Sequence, residues 1–174
     1  MKCPFCGAEN IAGEDTCESC GEDLSSLDVV SEPKSALETI LLEGLISDIP
    51  SPEAVFASRD TSLYEAANKM NESKTGCVLI MEKDTLAGIV SERDILYKAF
   101  QNRDVDASQI TVESLMTPSP ETLNDDDTIA YALNRMSLGG YRHIPILKDH
   151  KVVGLVSVQN IFKYIAKYLE PTAK

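Results

Sequence analysis

The chain repeats itself, without a gap, at a spacing of 66 residues. At that offset Gly88 falls on Gly154, Ser91 on Ser157 and Ile95 on Ile161. Upstream, Asp60 meets Asp126, Ala66 meets Ala132, Asn68 meets Asn134 and Met70 meets Met136. Such an ordered series, with matching hydrophobicity, means one supersecondary unit built twice. A copy of roughly 60 residues is only marginally stable alone, so the two are expected to share a core. Stacked sheet against sheet about an approximate two-fold axis, they would leave two equivalent clefts, each lined by both copies. A ligand would go there.

Each copy reads alike. Leu63, Ala66, Ala67 and Met70 stand at i, i+3, i+4 and i+7, and Ile129, Ala132, Leu133 and Met136 repeat that apolar stripe, which predicts two amphipathic helices. Ser62 with Glu65 makes a capping box for the first. Behind each helix come two β-branched runs, Cys77 to Met81 and Leu86 to Ser91, then His143 to Leu147 and Val152 to Ser157. The short joins Lys83-Asp84 and Asp149-His150 signal antiparallel hairpins. A closing helix is expected from about Glu92 to Gln101 and from about Val158 to Leu169, and short leading helices at Ser35 to Ile46 and Ser108 to Met116. Cys77 falls on a buried strand and reads as a small core residue.

Ahead of the repeats lies a different composition. Cys3-Pro-Phe-Cys6-Gly7 and Cys17-Glu-Ser-Cys20-Gly21 are two C-x-x-C-Gly knuckles, in a segment too poor in apolar residues to close a core unaided. The two-residue gap lets both thiolates of a knuckle face one ion, and the glycine takes the positive φ the turn needs. Four thiolates suit tetrahedral Zn²⁺, and with every position filled the site would be structural. Iron held by four thiolates is the rival reading. A redox dithiol pair fits less well, because no cation cluster lies nearby to lower a thiol pKa.

Net charge narrows the partners. Sixteen basic against 28 acidic side chains leave the chain at −12, which opposes DNA or RNA binding. In the cysteine-rich segment Lys2 is the only basic residue before Val29, so protein docking is favoured over nucleic acid there. The start of the chain lacks a secretory apolar stretch and no run of about 18 apolar residues occurs, which predicts a cytoplasmic protein with no membrane role. Clustered cysteines in that setting read as metal ligands, not disulfides. With two histidines, His143 and His150, and no H-E-x-x-H, nucleophile elbow or G-x-x-x-x-G-K loop, the chain is not expected to be an enzyme.

The doubled unit resembles a tandem pair of cystathionine-β-synthase-type (CBS) domains, a Bateman module. Its carriers are Gly88-Ile89-Val90-Ser91-Glu92-Arg93-Asp94 and Gly154-Leu155-Val156-Ser157-Val158-Gln159-Asn160, with Leu115-Met116-Thr117 and Arg142-His143-Ile144-Pro145-Ile146 in support. The resemblance implies an α+β fold of two stacked β-α-β-β-α repeats with pseudo-two-fold symmetry, over about 34 to 169. It also implies a cleft for an adenosine compound such as AMP, ADP, ATP or S-adenosylmethionine. Carried over, Asp94 would hold the ribose hydroxyls, Ser91 ribose or phosphate, and Ile89 the wall beneath the purine. Pro120 and Glu121 would meet the purine edge, Arg142 and His143, ahead of Pro145, would reach phosphate from the opposite repeat, and Arg93 could add a phosphate contact. Ser91-x-x-Asp94 is equally a capping box that needs no ligand. The second cleft, with Val55, Leu155, Ser157 and Asn160, should be weaker: an amide replaces the acid, and Gly76 and Cys77 stand where Arg142 and His143 would.

The cysteine segment resembles a short zinc ribbon. The expected organisation is therefore a zinc ribbon at 1–24 holding structural Zn²⁺ on Cys3, Cys6, Cys17 and Cys20, a linker at 25–33, a first CBS repeat with its leading helix at 34–106 and a second at 107–170. The function expected is regulatory nucleotide sensing, passed by a homodimer to a partner protein that the ribbon docks. The alternative is a ligand-free assembly scaffold that uses the CBS pair for dimerisation.

Overall fold

The computed structural model describes residues 1–3, 5–11, 13–25, 35–99 and 106–169. Most of the expected linker, and Gln101 at the expected end of the first closing helix, lie outside them. Two compact units emerge, and the chain passes between them more than once: Met1–Ile49, Asp126–Arg142 and Val158–Lys174 form one, Pro50–Asp125 and His143–Ser157 the other.

In the second unit, β1 (Phe56–Ala57) leads into α2 (Leu63–Ser73), and then into the hairpin of β2 (Cys77–Glu82) and β3 (Thr85–Ser91). The Ser62 hydroxyl accepts from Glu65 N while the Glu65 carboxylate accepts from Ser62 N, so the predicted capping box starts α2. Lys74, at φ 54, stops it. β1 runs parallel to β2, β3 antiparallel to it, and β4 (Thr117–Pro118) pairs with Gly88 and Ile89 of β3 to make a four-stranded sheet. A second sheet holds β5 (Leu123–Asn124), β6 (His143–Lys148) and β7 (Lys151–Ser157). The hairpin registers agree at the 66-residue offset, Cys77 opposite Ser91 and His143 opposite Ser157. Even the irregularity recurs, between Ile80 and Met81 and between Ile146 and Leu147. The chain thus contains two β-α-β-β-α repeats of α+β architecture.

Alternation along β2 and β3 divides the core. Val78, Ile80 and Val90 face α2, packing with Ala57, Ala66, Met70 and Val112. Cys77, Leu79 and Ile89 turn the other way and meet Leu155 of the second sheet, with Leu86 and Val152 at the edge. Leu79 and Ile80 are fully buried, and each side chain of that kind contributes about 1.5–3 kcal/mol.

The other unit gathers α1 (Ala36–Glu43), α4 (Ile129–Gly139) and α5 (Val158–Leu169). Thr128 caps α4 by accepting from Tyr131 N, and Ile129, Ala132 and Met136, the predicted stripe, are buried. The cysteine segment belongs to this unit.

Two expectations are corrected. The leading helix expected at Ser108 to Met116 is a single 3-10 turn, Val112–Ser114. Its backbone bonds go elsewhere: Leu63 N donates to Ile110 O, Tyr64 N to Ala107 O and Val112 N to Thr61 O. Groups committed to the start of α2 are not available for an i to i−4 ladder. The segment before the first repeat is committed in the same way to the start of α4, with Ile46 N donating to Asp127 O and Ile129 N to Gly44 O, but there α1 precedes the contact. Each leading segment is thus joined to the other repeat's helix. Second, the helix after β3 is α3 (Glu92–Asp94), which widens at once into a π-helical turn over Ile95–Ala99. Such turns are common at functional sites.

Candidate functional site

The structure describes both the cysteine knuckles and the turn from Ser91 to Asp94. In the cysteine segment each knuckle closes identically: Gly7 N donates to Cys3 O and Gly21 N to Cys17 O, both at 2.8 Å. Gly7 and Gly21 sit at φ 73, in the left-handed region that favours glycine. Short bridges between Lys2 and Glu9 and between Thr16 and Asp23 square off each knuckle. Cys3, Cys17 and Leu24 are buried together.

The four sulfurs lie within 4.8 Å of one another, with Cys3 Sγ 3.8 Å from Cys20 Sγ and Cys6 Sγ 3.5 Å from Cys17 Sγ. Thiolates bound tetrahedrally at about 2.3 Å from one ion stand about 3.8 Å apart, so this set fits a metal. The Cys17 thiol is drawn down to about 6, first by the Cys20 backbone N–H, with further help from Ser19 N–H and the Asn10 side chain. Cys20 receives a lowering hydrogen bond from Glu22 N–H, but burial and the three neighbouring thiols push it up to about 12. Thiols crowded this way resist giving up their last protons without a cation among them. The cluster could hold a metal ion.

The residues expected to meet a nucleotide lie largely in the second unit. Ser91 ends β3 and caps α3: its N and Oγ both donate to Asp94 Oδ2, at 2.9 and 2.6 Å, and Asp94 N donates back to Ser91 Oγ at 3.4 Å. Ser91 and Asp94 are half-buried, Arg93 exposed. Ile89 is buried in the inter-sheet core with Leu155. Pro120 and Glu121 follow β4 and are half-buried, and Pro145 is buried on β6 opposite Leu155. Ser157 is buried, and the Val55 carbonyl accepts from Leu79 N. Arg142 and Asn160 belong to the other unit, where the Arg142 carbonyl accepts from Val158 N and Asn160 lies on α5.

His143, at the start of β6, reaches the first repeat. A Cβ placed on Gly76 would come within 2.8 Å of both Cε1 and Nε2 of its ring, and 3.6 Å from the Glu92 carboxyl carbon. Glu92 N in turn donates to Gly76 O at 3.0 Å. The imidazole therefore lies at the entry to α3, the same turn that holds Ser91 and Asp94. Cys77 beside it is 1% exposed, as expected of a core residue, and its thiol is pushed up to about 12 by burial and then by the Glu92 charge.

Two features went unread in the sequence. A cavity of about 480 Å³ opens between α2 and α3, lined by Met70, Asn71, Lys74, Thr75, Glu92 and Ile95. Of the residues named for ligand binding, none lines it. The other is the use made of Lys2, whose ammonium reaches Asp127 Oδ1 at 2.6 Å and lies 5.1 Å from the centre of the Tyr131 ring. Its isolation in an acidic segment was the available signal, but nothing in the sequence pointed it at Asp127.

No helix among the described residues is long and apolar enough to cross a membrane. Comparison with known proteins follows the fold. A 17.7 kDa uncharacterized protein of Acidianus ambivalens is 32% identical over 118 residues, covering 67% of this chain and 70% of the relative. The solved CBS-domain protein NE2398 is 28% identical with a TM-score of 0.63, over 67% of this chain and 91% of that one. The CBS domain pair of MJ0100, solved with methylthioadenosine and S-adenosyl-L-methionine, is 26% identical with a TM-score of 0.63, over 71% and 96%. The CBS domain family, made up of regulatory and non-catalytic modules, matches residues 46–100 and 112–167. With both of its repeats matched, the chain belongs to the CBS domain family.

Proposed function

We propose that the chain is a regulatory module that senses an adenosine compound, AMP, ADP, ATP or S-adenosylmethionine, and signals to a partner protein. The observation that carries this reading is the convergence at the entry to α3. There Ser91 and Asp94 share a helix start, and His143 of the second repeat comes to rest beside Gly76 of the first. A carboxylate suited to a cis-diol stands on that turn and an imidazole suited to phosphate comes from β6 to its entry, with Arg93 next to Asp94 and Arg142 next to His143 in the chain. Pro120, Glu121, Ile89 and Pro145 would complete the purine's surroundings. The relative MJ0100, whose CBS pair carries adenosyl ligands, supports the ligand class. The second cleft, of Val55, Leu155, Ser157 and Asn160, is proposed as the weaker.

Within the same reading the four cysteines hold structural Zn²⁺, supported by their sulfur spacing. Apolar side chains left exposed on the helices, Tyr64, Leu96 and Tyr97 in one unit and Leu138 and Phe162 in the other, support a homodimer. Cysteines grouped as metal ligands fit a reducing compartment such as the cytoplasm.

One observation favours the scaffold alternative. Asp94 already accepts from both Ser91 N and Ser91 Oγ, so its carboxylate has capping work without a ligand. Titration calorimetry with the four adenosine compounds on the wild type and Asp94→Ala separates the readings. Sensing requires binding by the wild type and its loss in the variant. Binding unchanged in Asp94→Ala refutes the assignment, and no binding by the wild type leaves the scaffold.

A further inference from the structure

The two repeats start their main helices differently. In the first, Ser62 and Glu65 form a self-contained capping box, preceded by Thr61. In the second, the corresponding positions are Thr128, Tyr131 and Asp127. Thr128 still caps, but the box has lost its carboxylate, and a buried acid has entered one residue upstream. The two replaced positions are the ones that touch the cysteine segment. Lys2 Nζ bonds Asp127 Oδ1 at 2.6 Å and lies over the Tyr131 ring. Gly7 of the first knuckle is so close to Tyr131 that an added Cβ would stand 2.5 Å from Oη. Asp127 is only 5% exposed, and its carbonyl takes the Ile46 N–H, which ties the leading segment of the first repeat to the same point.

We infer that the knuckle face of the cysteine segment is an internal docking surface whose partner is the start of α4, and that metal loading of the knuckles locks that helix start. The inference rests on the metal reading above and goes beyond it. Cys3 is covalently next to Lys2, and Gly7 follows Cys6, so an ion that fixes Cys3 and Cys6 fixes both contact residues together. Without the ion the knuckles rest on their backbone bonds and the small core of Cys3, Cys17 and Leu24, and hold Lys2 less firmly on the buried carboxylate. The start of α4 then loses its charge-assisted contact from Lys2 to Asp127, and the second repeat loosens where the first does not.

Hydrogen exchange read by mass spectrometry on the full chain tests this, with zinc as the metal and EDTA as the chelator. Chelation should speed exchange in residues 126–139 about tenfold, the size a charge-assisted hydrogen bond implies, and leave 77–91 unchanged. Lys2→Met and Asp127→Asn should each bind one zinc per chain by native mass spectrometry, yet show the fast rate at 126–139 with zinc present. A wild type that binds zinc but exchanges equally with and without it overturns this inference alone. A wild type that binds no zinc overturns the metal reading, and this inference with it.

Discussion

The imidazole of His143 rests against the Cα of Gly76, the residue that immediately precedes its own counterpart, Cys77, in the first repeat. A position that repeats in sequence thus meets its own neighbourhood across the pair of sheets, and only a residue without a side chain leaves room for the ring.

Gly76→Ala should therefore act on His143. The new Cβ would sit 2.8 Å from two ring atoms, so the ring must swing away. The φ of Gly76 does not require glycine, which makes the effect steric. Adenosine-nucleotide affinity is expected to fall by about tenfold, of the order that an overpacked contact costs, with His143 ring signals shifted in NMR spectra. Unmoved signals would show that the ring makes no contact with Gly76 in solution.

Ser91→Ala should destabilise the ligand-free protein. It removes the hydroxyl that donates to Asp94 Oδ2 and accepts from Asp94 N, and a lost helix cap costs about 1 kcal/mol. Urea titration without nucleotide measures this, keeping the capping role apart from any role in binding. A midpoint equal to that of wild type would mean the box contributes nothing to folding.

Gly7→Ala and Gly21→Ala form a matched pair. Both glycines hold φ 73, so the strain of a left-handed alanine, about 1–2 kcal/mol, is common to them. A Cβ added at Gly21 would meet nothing within 4 Å, whereas one at Gly7 would run into the Tyr131 hydroxyl. Gly7→Ala should thus lower the melting temperature further than Gly21→Ala, and Tyr131→Phe should recover part of the difference. Equal losses from the two variants would deny the contact with Tyr131.

Cys77 gives a pH signature. Its folded pKa of about 12 lies above the ordinary 9.0, so the folded chain keeps the thiol proton that the unfolded chain releases. Stability from this source is complete below pH 9 and is lost as pH rises from there towards 12, at up to about 1.4 kcal/mol per pH unit. Urea unfolding from pH 8 to 10.5 should show a steeper decline in wild type than in Cys77→Ala. Parallel curves would mean the thiol ionises freely when folded.

Much of this was readable from residue order. The offset of 66 located both hairpins, because identical apolar alternation must produce identical registers, and Ser62 with Glu65 announced the start of α2. The knuckle spacing placed four sulfurs within reach of one ion. What could not be read were contacts set by chain crossing. Ser108 to Met116 reads as a short leading helix, yet Ile110 O and Val112 N are bonded to Leu63 and Thr61, a commitment that local pattern does not record. The partnership of Lys2 with Asp127, 125 residues away, is likewise a property of the folded chain. The reading of Ser91 and Asp94 stayed double, since the geometry of a helix cap also suits a cis-diol.

The exchange of leading segments bears on how such a protein could arise. Because residues 44–46 finish the helix of the later copy and residues 107–112 finish that of the earlier one, neither half is a complete cut of the gene. An ancestor with a single copy would have had to borrow its missing strip from another molecule. Tandem duplication turns that loan into a covalent arrangement, and β3, its edge covered by Thr117 and Pro118, would be left bare in any shortened chain that stopped before them.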